Sequence, residues 1–294
     1  RPAPIAAASV TRTSSRARFR SGACVLTLVD SRIARLRLDW EIAKRGYRRY
    51  AAYPAATWAG VFTNVVFGFL RGYVLLAVFE HRDVVGGYDA ADTITYVWLG
   101  QGLIATIYIW GWFDFALRIR TGDVATDLVR PVHPVRYGLA FDLGRAFYHA
   151  LFRGVPPFLL GALVYDLTFP AELWRWLAFV VSVALAVAVS FGFRFLYNAA
   201  AFWTVDYRGP AMIAMIVANL LSGFIVPLAF FPDWLDTIAN ATPFPSMVQT
   251  PIDVFIGQAD ATALLVQLFW CVVLLAACRA VFAAGTRKVV VQGG

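Results

Sequence analysis

The residues able to do chemistry are few, and their spacing suits none of the common sites. Lys44 and Lys288 are the only lysines, preceded by Ala43 and Arg287. A phosphate-cradling loop needs G-x-x-x-x-G-K-[ST], with its lysine on the β- and γ-phosphates. Neither lysine fits, so the chain contains no Walker loop. His81, His133 and His149 are far apart, and none lies in an H-E-x-x-H setting. Cys24, Cys271 and Cys278 make no C-x-x-C pair, and an odd count argues against a disulfide framework. Cys271 and Cys278 lie seven apart in an apolar stretch, which puts both on one helix face as packing residues. Ser182, Ser190 and Ser222 have no His at their depth and no acid pair facing them. The expectation is no catalytic residue, no metal site and no cofactor bound by this chain.

The elements that hold these residues belong to a membrane. Of 294 residues, 60% are hydrophobic and only 15% charged, and the mean hydropathy is +0.65. Soluble domains run about 45–50% apolar and about 25% charged. That excess rules out a soluble enzyme, a disordered protein and a nucleic-acid-binding module, despite the formal charge of +8. A spanning helix needs about 20 mostly apolar residues. Six stretches qualify: Trp58–Phe79, Thr93–Phe115, Phe147–Leu167, Leu173–Tyr197, Met212–Phe231 and Ala261–Phe282. The third is the least regular, because Arg153, Pro156 and Pro157 interrupt its first half. If six spans alternate, 23 of the 26 Lys and Arg residues fall on one side and only Arg82 and Arg175 on the other. The second side carries ten of the 18 acids. The positive-inside rule then makes both termini cytoplasmic.

The fold class expected is an all-α integral membrane protein with six transmembrane helices and accessory elements. Residues 1–30 read as a disordered leader; residues 1–29 are Arg- and Ser-rich, without an acid until Asp30. The stretch 31–56 mixes Ile33, Leu36, Leu38, Trp40, Ile42, Tyr47 and Tyr50 with many arginines, as an amphipathic helix at the membrane interface does. Residues 57–294 form one six-span domain. Two connections are long. The cytoplasmic 116–134 segment breaks at Thr121-Gly122-Asp123 and continues as a short capped helix, Asp123–Val129, closed by Pro131. The external 232–258 segment has Pro243, Pro245 and Pro251, three acids and no Lys or Arg. It is too apolar for a free loop and too broken for a span, and reads as one or two short helices on or in the outer leaflet, either a lid or a cap.

This layout resembles the permease subunits of ABC type-2 exporters, in a bacterial branch with six spans. The stretch Arg118-Ile-Arg-Thr-Gly-Asp-Val-Ala-Thr-Asp-Leu-Val-Arg-Pro-Val-His-Pro134 is similar to the coupling region of that branch. So are Ala229-Phe-Phe-Pro-Asp-Trp-Leu235, Ala241-Thr-Pro-Phe-Pro245 and Pro251…Phe255-Ile-Gly257, a pattern of outer helices. The resemblance covers roughly residues 33–290. It implies a permease without an ATPase site of its own, driven by a separate ABC ATPase dimer that binds ATP and Mg. A second permease copy or a paralogous permease, and membrane lipid, are the other implied partners; nucleic acid is not one. It further implies export of an amphiphilic, drug-like or lipid-like small molecule across the bacterial plasma membrane.

On that reading Arg118, Arg120, Thr121, Gly122, Asp123, Asp127, Leu128, Arg130 and Pro131 contact the ATPase, with Val124, Leu128 and Val129 filling a groove in it. Polar residues within spans are the candidates for a substrate path, because lipid disfavours them. They are Asn64, Arg71, Gln101, Asn198, Asn219 and Gln267, with Asp114 and Arg194 at span ends. Arg71 either snorkels outward or pairs with Asp114, and snorkelling is favoured by their opposite depths. Arg194 and Asp206 read as topology anchors. Gly68 and Gly72 suit close helix packing. The competing classes are a non-ABC membrane transporter, which would show acids at mid-membrane, and an assembly or scaffold subunit. Span interiors here read as free of carboxylates apart from the terminal Asp114.

Overall fold

The computed structural model describes residues 20–204 and 207–288, with side chains from residue 33. The first 19 residues of the expected leader, and Asp206, lie outside the described residues. The chain divides into two units, Arg1–Trp40 and Glu41–Gly294. In the first, helix α1 (Arg20–Ala51) begins, and Ile33, Leu36, Leu38 and Trp40 are exposed on it. The basic arm is therefore helical, and its helix starts within the sequence assigned to the leader.

The second unit is a helical bundle. α2 (Pro54–Leu76) starts at a proline, whose missing N–H costs nothing in the first turn. α3 (Ala90–Leu103) is capped by Asp89, whose carboxylate accepts from Asp92 N at 2.7 Å. Then come α4 (Asp114–Thr121), α5 (Val124–Leu128), α6 (Pro134–His149), α7 (Val155–Val164), α8 (Leu173–Ala199), α9 (Arg208–Leu221), α10 (Asp233–Asn240), α11 (Gln249–Ile256) and α12 (Ala261–Thr286). No strand forms among the described residues; Val85 and Tyr88 make one isolated bridge.

Among the described residues, four helical stretches are long and apolar enough to cross a membrane: Pro54–Glu80, Pro134–Val164, Leu173–Phe202 and Ala261–Thr286. Three coincide with expected spans, and the fourth begins 13 residues before Phe147. Pro156 and Pro157 do not interrupt it. A π-helical segment, Ala150–Gly154, links α6 to α7 just ahead of them, and the prolines fall in the first turn of α7. The other two expected spans are not single long helices. In Thr93–Phe115, α3 passes into a π-helical segment, Ile104–Tyr108, and the chain then loses helical form until Asp114. In Met212–Phe231, α9 ends at Leu221; its 14 residues reach about 21 Å at ~1.5 Å per residue, short of the ~30 Å hydrocarbon core.

Small residues set the crossings. A Cβ on Gly144 would lie 1.8 Å from the Ala43 carbonyl oxygen, and one on Gly46 2.1 Å from that of Phe141, so α1 and α6 touch backbone to backbone. Gly102 and Gly154 meet in the same way where the two π-helical segments face each other. The glycines of α2 instead receive bulk: Trp98 packs on Gly68, and Ile94 on Gly72. Trp98 is fully buried, with Gly161 on its other side. α11 is drawn into the bundle, with Ile252, Val254 and Phe255 buried against α3 and α8. α10 keeps Trp234 and Ile238 exposed.

Candidate functional site

The break in α3 exposes backbone carbonyls inside an apolar bundle, where each unpaired group is costly. Side chains from α6 and α8 take them up. Arg145 Nη1 donates to Ala105 O at 2.5 Å and Nη2 to Thr106 O at 2.9 Å. Ser190 Oγ donates to Tyr108 O at 3.2 Å. Asn198 Nδ2 donates to Trp112 O at 2.7 Å, and its Oδ1 accepts from Ala116 N at 3.0 Å, where helix resumes. Tyr108 itself has φ of +61°, the one non-glycine residue at positive φ among those described. Such strain persists only where surroundings enforce it.

The cations that hold this break are balanced by one carboxylate. Asp142 accepts Arg145 Nε at 2.6 Å through one oxygen and Arg194 Nη2 at 2.6 Å through the other. Both arginines are almost fully buried, at 2% and 1% exposure. Their guanidinium groups stack on Tyr108 at 4.8 and 5.3 Å from the ring centre. The reading of Arg194 as a topology anchor leaves out this pairing: Arg194 shares a buried carboxylate, Asp142, with Arg145, which lies within helix α6. Asp142 and Arg145 sit one helical turn apart in a stretch that is apolar on either side. That i, i+3 spacing was the signal available; the late placement of the third span hid it.

The surface segment ahead of this cluster is braced from within. Gly122, at φ +80°, ends α4, and α5 follows directly. Asp123 precedes α5 but makes no side-chain cap; its Oδ2 accepts from Thr121 Oγ1 at 2.7 Å. Asp127 is buried and pairs with Arg118 at 2.7 Å and Arg130 at 3.1 Å. Val124 is also fully buried, in a cluster with Phe115, Phe191, Phe195 and Phe282, so it is not free to fill a partner's groove. Leu128 and Val129 are exposed, the latter at 84%. Arg120, Thr121, Asp123 and Pro131 are exposed as well. A cavity of about 170 Å3 runs between this segment and the buried cluster, lined by Arg118, Asp127 and Arg130 at one end and Asp142 and Arg145 at the other.

Residues 66–293 match the profile of a family described as ABC-2 family transporter protein. The chain belongs to the ABC-2 transporter family. It is a multi-pass membrane protein and a transmembrane subunit of an ABC transporter. No curated protein matches it.

In this ABC-2 subunit the expected substrate-path residues are mostly occupied by structural bonds. Asn64 Nδ2 donates to Gln101 O at 2.9 Å, tying α2 to α3. Gln267 accepts from Ser182 Oγ at 2.9 Å and donates to Ser182 O and Ser246 O. Asn219 bonds back to Met215 O within α9. Arg71 does not pair with Asp114, which lies 3.3 Å from Arg49. It donates to the carbonyls of Phe224 and Ile225, just past α9, and stacks on the Phe224 ring. A larger cavity, about 470 Å3, is lined almost wholly by apolar side chains of α3, α6, α7 and α8. Asn64, Arg71, Gln101, Asn198, Asn219 and Gln267 line neither this cavity nor the one beside Asp142.

Proposed function

We propose that this chain is the membrane half of an ATP-driven exporter for an amphiphilic, drug-like or lipid-like small molecule. A separate ABC ATPase dimer, holding ATP and Mg, would grip the 118–131 segment. The observation that carries the reading is the family membership, joined to a surface segment braced by Asp127 and continuous with the break in α3. A push on α5 passes through α4 into residues 109–113, whose carbonyls and neighbours are held by α6 and α8. Rigid transmission of this kind suits a packed, bistable element. The segments around α3 and α9 complete six spans, both termini lie in the cytoplasm of a bacterial cell, and a second permease, identical or paralogous, completes the path. The apolar cavity bordered by Phe158, Trp176, Phe179 and Phe255 supports a greasy substrate better than the polar residues do.

The test is purification of the full chain from membranes in mild detergent, with identification of a co-purifying ABC ATPase and assay of substrate-stimulated ATP hydrolysis. Asp123 is exposed and bonded only to its own segment, so Asp123→Arg leaves the fold intact. It is expected to abolish substrate stimulation. Unchanged stimulation overturns the coupling role.

A further inference from the structure

Beside the buried cluster lies another cavity, of about 270 Å3, in which no carboxylate among the described residues meets the arginine that lines it. It is lined by Tyr50, Tyr53, Thr57, Tyr108, Trp110, His149 and Arg153, with small or apolar residues between them, and no carboxylate lines it. His149 is 93% buried, and its Nδ1 has no partner. Arg153 Nε is likewise buried without a partner, and its guanidinium lies flat against Gly60 of α2. Asp142, the one acid between Pro134 and Val164, already serves two arginines. A permanently charged guanidinium left in an apolar span is costly unless something anionic meets it.

The position indicates where that anion comes from. Tyr50 and Tyr53 stand at the end of α1, whose last turn carries Arg48 and Arg49, and Thr57 lies in the first turn of α2. That is the level of a leaflet's head groups, where amphipathic basic helices lie. The walls otherwise are aromatic and apolar. We propose that this cavity binds the phosphate of an anionic phospholipid from the leaflet on the α1 side, with Arg153 as the charged contact and His149 as a further hydrogen-bonding one. Arginine matches phosphate geometry through its paired donors. The proposal is independent of the transport reading, because binding of lipid to this chain needs no ATPase.

The full chain in mild detergent is titrated with phosphatidylglycerol, phosphatidylcholine or inorganic phosphate, and binding is read by native mass spectrometry and by thermal stabilisation. Wild type is expected to retain phosphatidylglycerol over phosphatidylcholine. Arg153→Gln is expected to lose about tenfold in affinity, with Arg153→Lys recovering part of it. Gly60→Ala is a second variant that keeps the charge: its methyl group would lie 2.3 Å from the guanidinium carbon and push it aside, weakening binding. Equal retention of phosphatidylglycerol by Arg153→Gln and Gly60→Ala overturns the proposal. So does full competition by inorganic phosphate alone, which would make this a free-phosphate site, and so does equal retention of phosphatidylcholine.

Discussion

Asp142 shows how much one side chain carries in an apolar bundle. It neutralises Arg145 and Arg194, and Arg145 in turn holds the carbonyls freed by the break in α3. Removing one partner of a buried ionic group costs about 3–5 kcal/mol, because the others stay charged and unpaired. Asp142→Asn is therefore expected to lower the thermal unfolding temperature in detergent strongly, while Glu41→Gln, which breaks an exposed pair with Lys44, changes little. A second carboxylate behaves differently. Asp253, in the 232–258 connection, is bonded by Tyr88 and Gln249, but burial outweighs those bonds and pushes it up to about 7. The folded state then holds a proton that the unfolded state releases near the ordinary carboxylate range. Stability contributed by this group is present at low pH and falls as pH rises to about 7, each tenfold difference in proton affinity being worth ~1.4 kcal/mol. Asp253→Asn is expected to remove that slope from unfolding curves taken between pH 5 and 8; an unchanged slope counts against it.

Among the elements, glycine decides which helices touch. α1 and α6 meet through Gly46 and Gly144, where any Cβ would strike a carbonyl of the other helix. Backbone cannot yield as a flexible side chain can, so Gly144→Ala must separate the two. We expect a loss of ~2 kcal/mol or more, and faster proteolysis within 41–51. Gly122 is a useful contrast, since nothing lies within 4 Å of where its Cβ would stand, but its φ is +80°. Gly122→Ala should cost about 1 kcal/mol through backbone strain alone. Helix signals in the sequence were clear where composition was uniform, as in α8 and α12. They failed at α3 and α6, where two π-helical segments face each other across Gly102 and Gly154. A π-helical turn departs from the 3.6-residue pattern by one residue only, so the apolar periodicity on either side of it gives no clear sign of the break.

At the scale of the molecule, the charge asymmetry predicts which way the bundle faces. Cys271 and Cys278 are buried, so single cysteines introduced into a Cys24→Ser background report cleanly. With both termini cytoplasmic, Val129→Cys is expected to react with a membrane-impermeant maleimide only in inside-out vesicles, and Trp234→Cys only in right-side-out ones. Labelling of both from one side overturns the six-span topology. Much of this architecture was legible in the residues themselves. Apolar run lengths and the segregation of arginine from acid follow from the cost of placing charge in lipid, which acts locally and so is written locally. The break between α4 and α5 was visible too, through Thr121-Gly122-Asp123, as was the end of the short helix, through Pro131. The i, i+3 spacing of Asp142 and Arg145 marks a pair, but that Arg194, 52 residues away, completes it and that the group is buried were decided by tertiary structure alone. Whether a charge is buried, shared or facing a cavity depends on which residue distant in the chain comes to lie beside it.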